Sequence, residues 1–100
     1  GVSGSGPAYV FYLVECLARA GEAEGLPADV AMRLARATIE GAGELLHRTD
    51  IAASVLRQNV TSPGGTTAAG LQVLMMDKAL DSLVKATVHA ARMRAGELSG

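Results

Sequence analysis

Polar side chains along this chain form narrow stripes at helical spacing, and most of the positions between them are apolar. Between positions 7 and 23 the charges fall at Glu15, Arg19 and Glu22, which share one side of a helix. The next segment repeats small and apolar residues at the same spacings, as a packed face does: Ala31, Leu34, Ala35, Thr38, Ala42 and Leu45. No stretch alternates as a half-buried strand would. The pattern predicts an all-α five-helix bundle with helices over residues 7–24, 27–48, 51–60, 64–76 and 78–98.

Proline, glycine and short polar residues mark the expected helix boundaries. Ser5 is a candidate cap for the first helix, and Pro7 suits its first turn because a missing N–H does no harm there. Gly25 is expected to end that helix and Pro27 to open the second. Asp77 can cap the fifth helix, which predicts a boundary between the fourth and fifth helices at that position.

The length and charge of the chain exclude several classes of protein. One hundred residues suffice for a single domain, and nine basic against ten acidic side chains give a net charge of −1. This balance supplies no basic surface for phosphate backbones, so nucleic acid is not an expected partner. No apolar run approaches the roughly 20 residues of a membrane span, so no membrane contact is expected.

The single cysteine and the first residues of the chain indicate in which cellular compartment the protein resides and whether the chain is a fragment. Cys16 is the single cysteine, so an internal disulfide is impossible, and no Cys and His spacing resembles a zinc site. We therefore expect no bound metal and a reducing, cytoplasmic environment. The chain opens at Gly1 without an initiator Met or a secretory signal and is expected to be a fragment. Gly1, Gly4 and Gly6 lack the preceding strand of a dinucleotide site and are expected to form a flexible lead-in.

The predicted helices are apolar around more of their circumference than one small domain can cover. A domain of this size buries only about two-thirds of its unfolded surface, whereas 49% of these residues are hydrophobic. Gly41 and Gly43 lie inside the second helix, where each costs about 1 kcal/mol unless packing needs it. The pattern predicts a homodimer, with a monomer that tolerates an Ala-rich surface as the alternative.

Residues 61–67, Thr-Ser-Pro-Gly-Gly-Thr-Thr, are the segment that helix propensity does not explain. Two adjacent glycines weaken a helix start by roughly 1 kcal/mol each relative to Ala, so something is expected to approach the backbone. Ser62 can cap the following helix, and the glycines leave N–H groups uncovered at the positive end of its dipole. The two threonines add hydroxyls beside those donors. The segment is therefore a candidate anion site.

A small carboxylate fits this candidate site better than a triphosphate does. A P-loop would carry a Lys after its glycines, and none occurs between Arg57 and Lys78. A tight loop between two helices, with no ligand, is the alternative, and the local residues leave both interpretations open.

Three segments resemble the pyrroline-5-carboxylate reductase family. They are Gly4-Ser5-Gly6-Pro7-Ala8-Tyr9 at the start of a helix, Gly25-Leu26-Pro27 between the long helices, and Val60-Thr61-Ser62-Pro63-Gly64-Gly65-Thr66-Thr67. The resemblance covers the whole chain, and the Ser-Pro-Gly-Gly-x-Thr segment is the family's signature. By this resemblance residues 1–100 are the C-terminal helical dimerisation and substrate-binding domain. In the family it follows an N-terminal Rossmann domain that is absent here.

The resemblance implies the last step of proline synthesis, in which a hydride passes from NADPH or NADH to the imine carbon of 1-pyrroline-5-carboxylate to give L-proline. It implies an interleaved homodimer, or a higher oligomer of such dimers. The cofactor is expected to be bound mainly by the N-terminal domain, so no cofactor-binding residue is assigned here and this fragment alone is expected to be inactive.

The family's site residues carry over by position. Thr67 would place its hydroxyl at the ring nitrogen, where a neutral donor and acceptor can orient the nitrogen without repelling it. Asp50 would lie near the substrate. The substrate carboxylate would be held by Ser62 and by backbone N–H groups around Gly64, Gly65 and Thr66.

Two other classes remain open at this point. A helical oligomerisation module without a ligand would have the same stripes, but it would not respond to proline. The C-terminal domain of another Rossmann dehydrogenase would dimerise without carrying Ser-Pro-Gly-Gly-Thr-Thr.

Overall fold

The computed structural model describes the backbone of residues 2–99 and the side chains of residues 4–99. Within those residues there is no strand, and the predicted all-α class is confirmed. None of the described helices is both long enough and apolar enough to cross a membrane. The α-helices are α1 (Val2–Ala23), α2 (Ala28–Arg48), α3 (Ala53–Asn59), α4 (Thr66–Met75) and α5 (Ala79–Ser99).

The break expected before the last helix is a kink within one helical run, which corrects the predicted arrangement of five separate helices. A single turn of 3-10 helix, Met76–Lys78, joins α4 directly to α5. The described helical residues therefore form four runs, of which the last extends from residue 66 to residue 99 and is kinked at Asp77. Asp77 lies inside this run and does not cap a new helix. Neither Pro nor Gly occurs from residue 71 to residue 95, so no helix-breaking residue forces an interruption there.

The first helix begins earlier than predicted. It starts at Val2 and contains Pro7 as an interior residue, so Ser5 is not a cap. The proline ring fixes φ near the helical value, which allows helix on both sides at the cost of one backbone hydrogen bond. Gly4 and Gly6, expected to form a flexible lead-in, are helical. Gly1 lies outside the described residues.

The chain divides into two compact units, and residues 3–50 form the first of them. This unit is a hairpin of α1 and α2, closed by a turn in which the N–H of Leu26 donates to the carbonyl of Gly21 at 3.0 Å. A Cβ added at Gly21 would lie 3.2 Å from the Cβ of Ala31, so the two helices approach closely there.

Among the described side chains of the hairpin, the buried ones form a short alanine seam, Ala18, Ala31 and Ala35. The predicted inward face of α2 is therefore confirmed only in part, because Leu34 and Leu45 are 53% and 50% exposed. Small side chains permit a close approach of helices but bury little apolar area. The hairpin by itself gains little hydrophobic stabilisation.

The second unit contains α3, α4 and α5 and begins at Ile51. Ala68 and Leu71 of α4 are half-buried, as are Thr87, Val88 and Ala91 of α5. None of the described side chains of this unit reaches full burial. Apolar side chains in the described part of this unit stay largely in contact with solvent.

The joint between α4 and α5 holds two consecutive residues in the left-handed region, Asp77 with φ 53° and Lys78 with φ 54°. This conformation costs a residue with a Cβ roughly 1–2 kcal/mol, whereas glycine adopts it freely. We expect Lys78→Gly to raise the free energy of unfolding by about 1 kcal/mol, and hence Tm by about 4–8 °C. Lys85→Gly, at an exposed interior position of α5, is the matched control and should lower stability by about 1 kcal/mol. Thermal melts of the two variants measure these effects. Equal decreases of Tm in Lys78→Gly and Lys85→Gly would contradict the prediction.

Candidate functional site

A tight turn connects α3 to α4 at the segment that the sequence singles out. The N–H of Gly65 donates to the carbonyl of Ser62 at 3.0 Å, with Pro63 second and Gly64 third in the turn. Gly64 has φ 73°, the positive value that the third residue of a type II turn requires. Proline at the second position presets its φ. The Pro-Gly pair therefore specifies this turn.

Glycine is favoured at position 65 for a different reason, which is the limited space beside Ser62. A Cβ at this position would lie 3.3 Å from the carbonyl oxygen of Ser62 and 3.5 Å from its Cβ. Gly65 is also the residue that precedes α4, and its carbonyl accepts the N–H of Ala69 at 3.2 Å. A residue with a Cβ would require Ser62 to shift by a few tenths of an ångström.

The start of α4 presents free backbone donors, although not all of those expected. Ser62 makes no capping bond, since Gly65 occupies the N-cap position and no side chain caps the helix. The N–H of Gly65 is used inside the turn. The N–H groups of Thr66, Thr67 and Ala68 find no acceptor among residues 2–99. Ala68 was missed by the sequence analysis, because the position of the N-cap decides which donors are free.

The electrostatics of this helix start favour an anion. The dipole of α4 places partial positive charge at its first turn. The sequence contains no Asp or Glu from residue 58 to residue 76, so no carboxylate of the segment repels a bound anion. Unpaired N–H groups at a helix start, together with that dipole, suit a carboxylate or a phosphate group.

Three exposed hydroxyls, those of Ser62, Thr66 and Thr67, lie on this segment. In the described chain none of them donates a hydrogen bond to another protein group. The other four threonines behave differently, because each donates to the carbonyl four residues earlier: Thr38, Thr49, Thr61 and Thr87. The hydroxyls of the turn and of the start of α4 are therefore available to a ligand.

Asp50, the remaining candidate, closes the first unit, whereas the turn belongs to the second. Its side chain is exposed and follows the last turn of α2. Within the hairpin unit no described side chain forms an ion pair with it.

Gly4 and Gly6 do not form a dinucleotide-binding turn. Both lie within α1, whereas the glycines of a Rossmann phosphate-binding turn lie between a strand and a helix. Residues 2–99 also contain no group of three or more His, Cys, Asp or Glu side chains placed to hold a metal ion.

The fold and the turn define an all-helical domain in which a Pro-Gly-Gly turn opens a helix with free donors. Residues 1–98 match the family model described as pyrroline-5-carboxylate reductase dimerisation, and the chain belongs to this family.

Curated relatives and a solved structure agree with the family. The chain is 46% identical over 99 residues to a pyrroline-5-carboxylate reductase of Arabidopsis thaliana, covering 99% of the chain and 36% of that protein. It is 41% identical to pyrroline-5-carboxylate reductase 1 of Bacillus subtilis, and this match covers 99% of the chain and 33% of that protein. The structure of Plasmodium falciparum pyrroline carboxylate reductase with NADP bound superposes with a TM-score of 0.90, at 34% identity, over 99% of this chain and 37% of that one. The chain thus spans about a third of the length of these relatives.

Proposed function

We propose that this chain is the helical dimerisation and substrate-binding domain of an enzyme that reduces 1-pyrroline-5-carboxylate to L-proline. The observation that carries the proposal is the start of α4, where three unpaired N–H groups lie beside unpaired hydroxyls and no acidic side chain occurs nearby in the sequence. The family of the chain supports the assignment. The substrate is a small carboxylate with a ring nitrogen, which needs donors of this kind.

The carboxylate of the substrate is proposed to bind at the first turn of α4. The N–H groups of Thr66, Thr67 and Ala68 point out of the helix start, and the hydroxyl of Ser62 can add a further donor. Gly65 contributes through its shape, since its own N–H is used in the turn. Gly64 supports the same turn through its positive φ and keeps its N–H as a further candidate donor.

Thr67 is proposed to orient the ring nitrogen. Its hydroxyl is exposed and has no acceptor in the described chain. Reduction turns the carbon–nitrogen double bond into a single bond and leaves an amine. A hydroxyl both donates and accepts, so it can hydrogen-bond the nitrogen before and after the reaction without charge repulsion. Asp50 is proposed to lie near the same substrate in the assembled enzyme.

The nicotinamide donor, NADPH or NADH, is proposed to bind mainly to an N-terminal domain of the complete protein. Gly4 and Gly6 lie within α1 and do not form a phosphate-binding turn, which supports this assignment. The domain of residues 1–100 alone is therefore proposed to be inactive. A cytoplasmic location belongs to the same proposal, because the lone Cys16 cannot form an internal disulfide.

A second copy of the chain is proposed to cover the exposed apolar surface, in an interleaved homodimer that can assemble further. Only the alanine seam is buried among the described residues. A Cβ at Gly41 or Gly43 would meet no atom within 4 Å, so packing inside one chain does not require glycine at either position. A helix from another chain can approach closely there.

Charge also favours the interleaved arrangement. Residues 3–50 carry four basic and seven acidic side chains, a net charge of −3, and residues 51–100 carry five basic and three acidic, a net charge of +2. In two copies the hairpin of one can therefore attract the second unit of the other.

Steady-state kinetics of the complete protein test the proposed function. We expect reduction of 1-pyrroline-5-carboxylate, with the isolated domain as the inactive control.

Ser62→Ala should raise KM about fivefold with little change in kcat, which is the effect of about 1 kcal/mol of lost binding. Because Ser62 does not cap α4, the Tm of the Ser62→Ala protein should stay within about 2 °C of the wild-type value. Ser82→Ala, on α5, is the matched control. A complete protein that does not reduce this substrate contradicts the proposal.

A further inference from the structure

The turn before α4 has few anchors to the rest of its unit. Of residues 60 to 66, all of which the structure describes, only Thr61 and Gly65 are half-buried. Val60 is 66% exposed, and Ser62, Pro63 and Gly64 are exposed. A loop with so little burial keeps one conformation only if hydrogen bonds fix its ends.

Thr61 supplies two such bonds at the end of α3. Its hydroxyl donates to the carbonyl of Arg57 at 2.5 Å, and its N–H donates to the carbonyl of Gln58 at 3.0 Å. The carbonyl of Arg57 also accepts the N–H of Val60 at 3.3 Å. These bonds satisfy carbonyl groups in the last turn of α3 and fix the direction in which the chain leaves it.

The residue that Thr61 fixes is directly followed by the proposed carboxylate site. Ser62 comes next in the chain, and its carbonyl accepts the bond that closes the turn. Gly65, which donates that bond, is followed by the free N–H of Thr66. The hydrogen bonds at the end of α3 and the bond that closes the turn are therefore joined to each other, and to the donors of the site, by single peptide links.

We infer that Thr61 is a positioning residue for carboxylate binding and acts through the Ser62 turn without touching the substrate. This inference rests on the proposed function of the turn. Loss of the Thr61 hydroxyl frees the segment between the helices, so a ligand must order it again on binding. Thr67 lies in α4 itself, so its orientation depends less on Thr61. The effect therefore falls on KM more than on kcat.

Kinetics of the complete reductase test this role with Thr61→Val, which keeps the side-chain shape and removes the hydroxyl. We expect KM for 1-pyrroline-5-carboxylate to rise about two- to tenfold, the effect of one lost hydrogen bond, with kcat changed less than about twofold. Thr61→Ser keeps the hydroxyl and should restore KM. Thr87→Val is the matched control, since the Thr87 hydroxyl makes the same kind of bond to the Leu83 carbonyl at 2.8 Å. It should leave KM unchanged.

Amide hydrogen exchange tests the same role without substrate. The N–H of Gly65 closes the turn, and we expect it to exchange faster in Thr61→Val than in wild type or in Thr87→Val. The inference is overturned by unchanged exchange, by an unchanged KM in an active enzyme, or by a Thr61→Ser enzyme that behaves like Thr61→Val. An inactive wild-type protein overturns the proposed function instead, and the exchange of Gly65 then still decides whether Thr61 holds the turn.

Discussion

Thr67→Ala in the complete protein is expected to lower kcat for the proposed reduction by about 10²–10⁴-fold, the range that a positioned proton-transfer partner contributes. The fold should persist, because Thr67 lies exposed in the first turn of α4 and donates no hydrogen bond to the described chain. Ala is also a better helix former than Thr. Steady-state kinetics beside a thermal melt separate the loss of chemistry from any loss of stability.

Two variants control this measurement. Thr67→Ser keeps the hydroxyl and should retain most of the turnover, whereas Thr66→Ala removes the neighbouring hydroxyl, which is not assigned to the ring nitrogen. Should Thr67→Ala keep near-normal kcat and kcat/KM, Thr67 has no part in the reaction. The helix start would then serve only to bind the carboxylate.

Val73→Asp is expected to disrupt the homodimer. Val73 on α4 is 69% exposed in the single chain, and a charge at an exposed position of a folded monomer changes stability by less than about 0.5 kcal/mol. Helix α4 has no charged residue, and a helix of this kind is normally buried. If a second copy covers it, the new carboxylate is buried without a partner and costs about 3–5 kcal/mol.

Light scattering and thermal melts at several protein concentrations measure this effect. Wild type should have the mass of a dimer and a Tm that rises with concentration, whereas Val73→Asp should lose both properties. Gln72→Asp introduces the same charge at the adjacent exposed position and should behave like wild type. A wild-type mass of one chain, with full helical circular dichroism, would contradict the homodimer. An unchanged Val73→Asp dimer would leave α4 outside the interface.

The helical class and most helix ends follow from the sequence, because side-chain stripes and turn residues act locally. The structure ends α2 at Arg48, as predicted, and begins it at Ala28, one residue after the predicted start. Two helix boundaries differ more from the prediction. Pro7 lies within α1, although residue preferences disfavour proline inside a helix. The interruption expected at Asp77 is a kink within one helical run, at which Asp77 and Lys78 have left-handed φ angles.

The candidate site was predictable to the level of the segment but not of the atom. Pro63 and Gly64 specify the type of turn through their own φ angles. The free donors depend instead on the bond between Gly65 and Ser62, which sets the first residue of α4. The roles proposed for Ala68 and Thr61 rest on backbone geometry of this kind and have no sequence signal of their own.

The alanine seam has a consequence for genetic variation in this domain. In most small proteins, harmful substitutions cluster at positions that are buried within one chain. Among the described side chains those positions are three alanines. A saturation scan in the living cell should therefore show the reverse distribution of harmful substitutions. The most intolerant sites would be leucines and valines that a single copy leaves in water, and their tolerance would depend on how much protein the cell makes. Raised expression should therefore rescue many of these variants by mass action, but not a variant of Thr67.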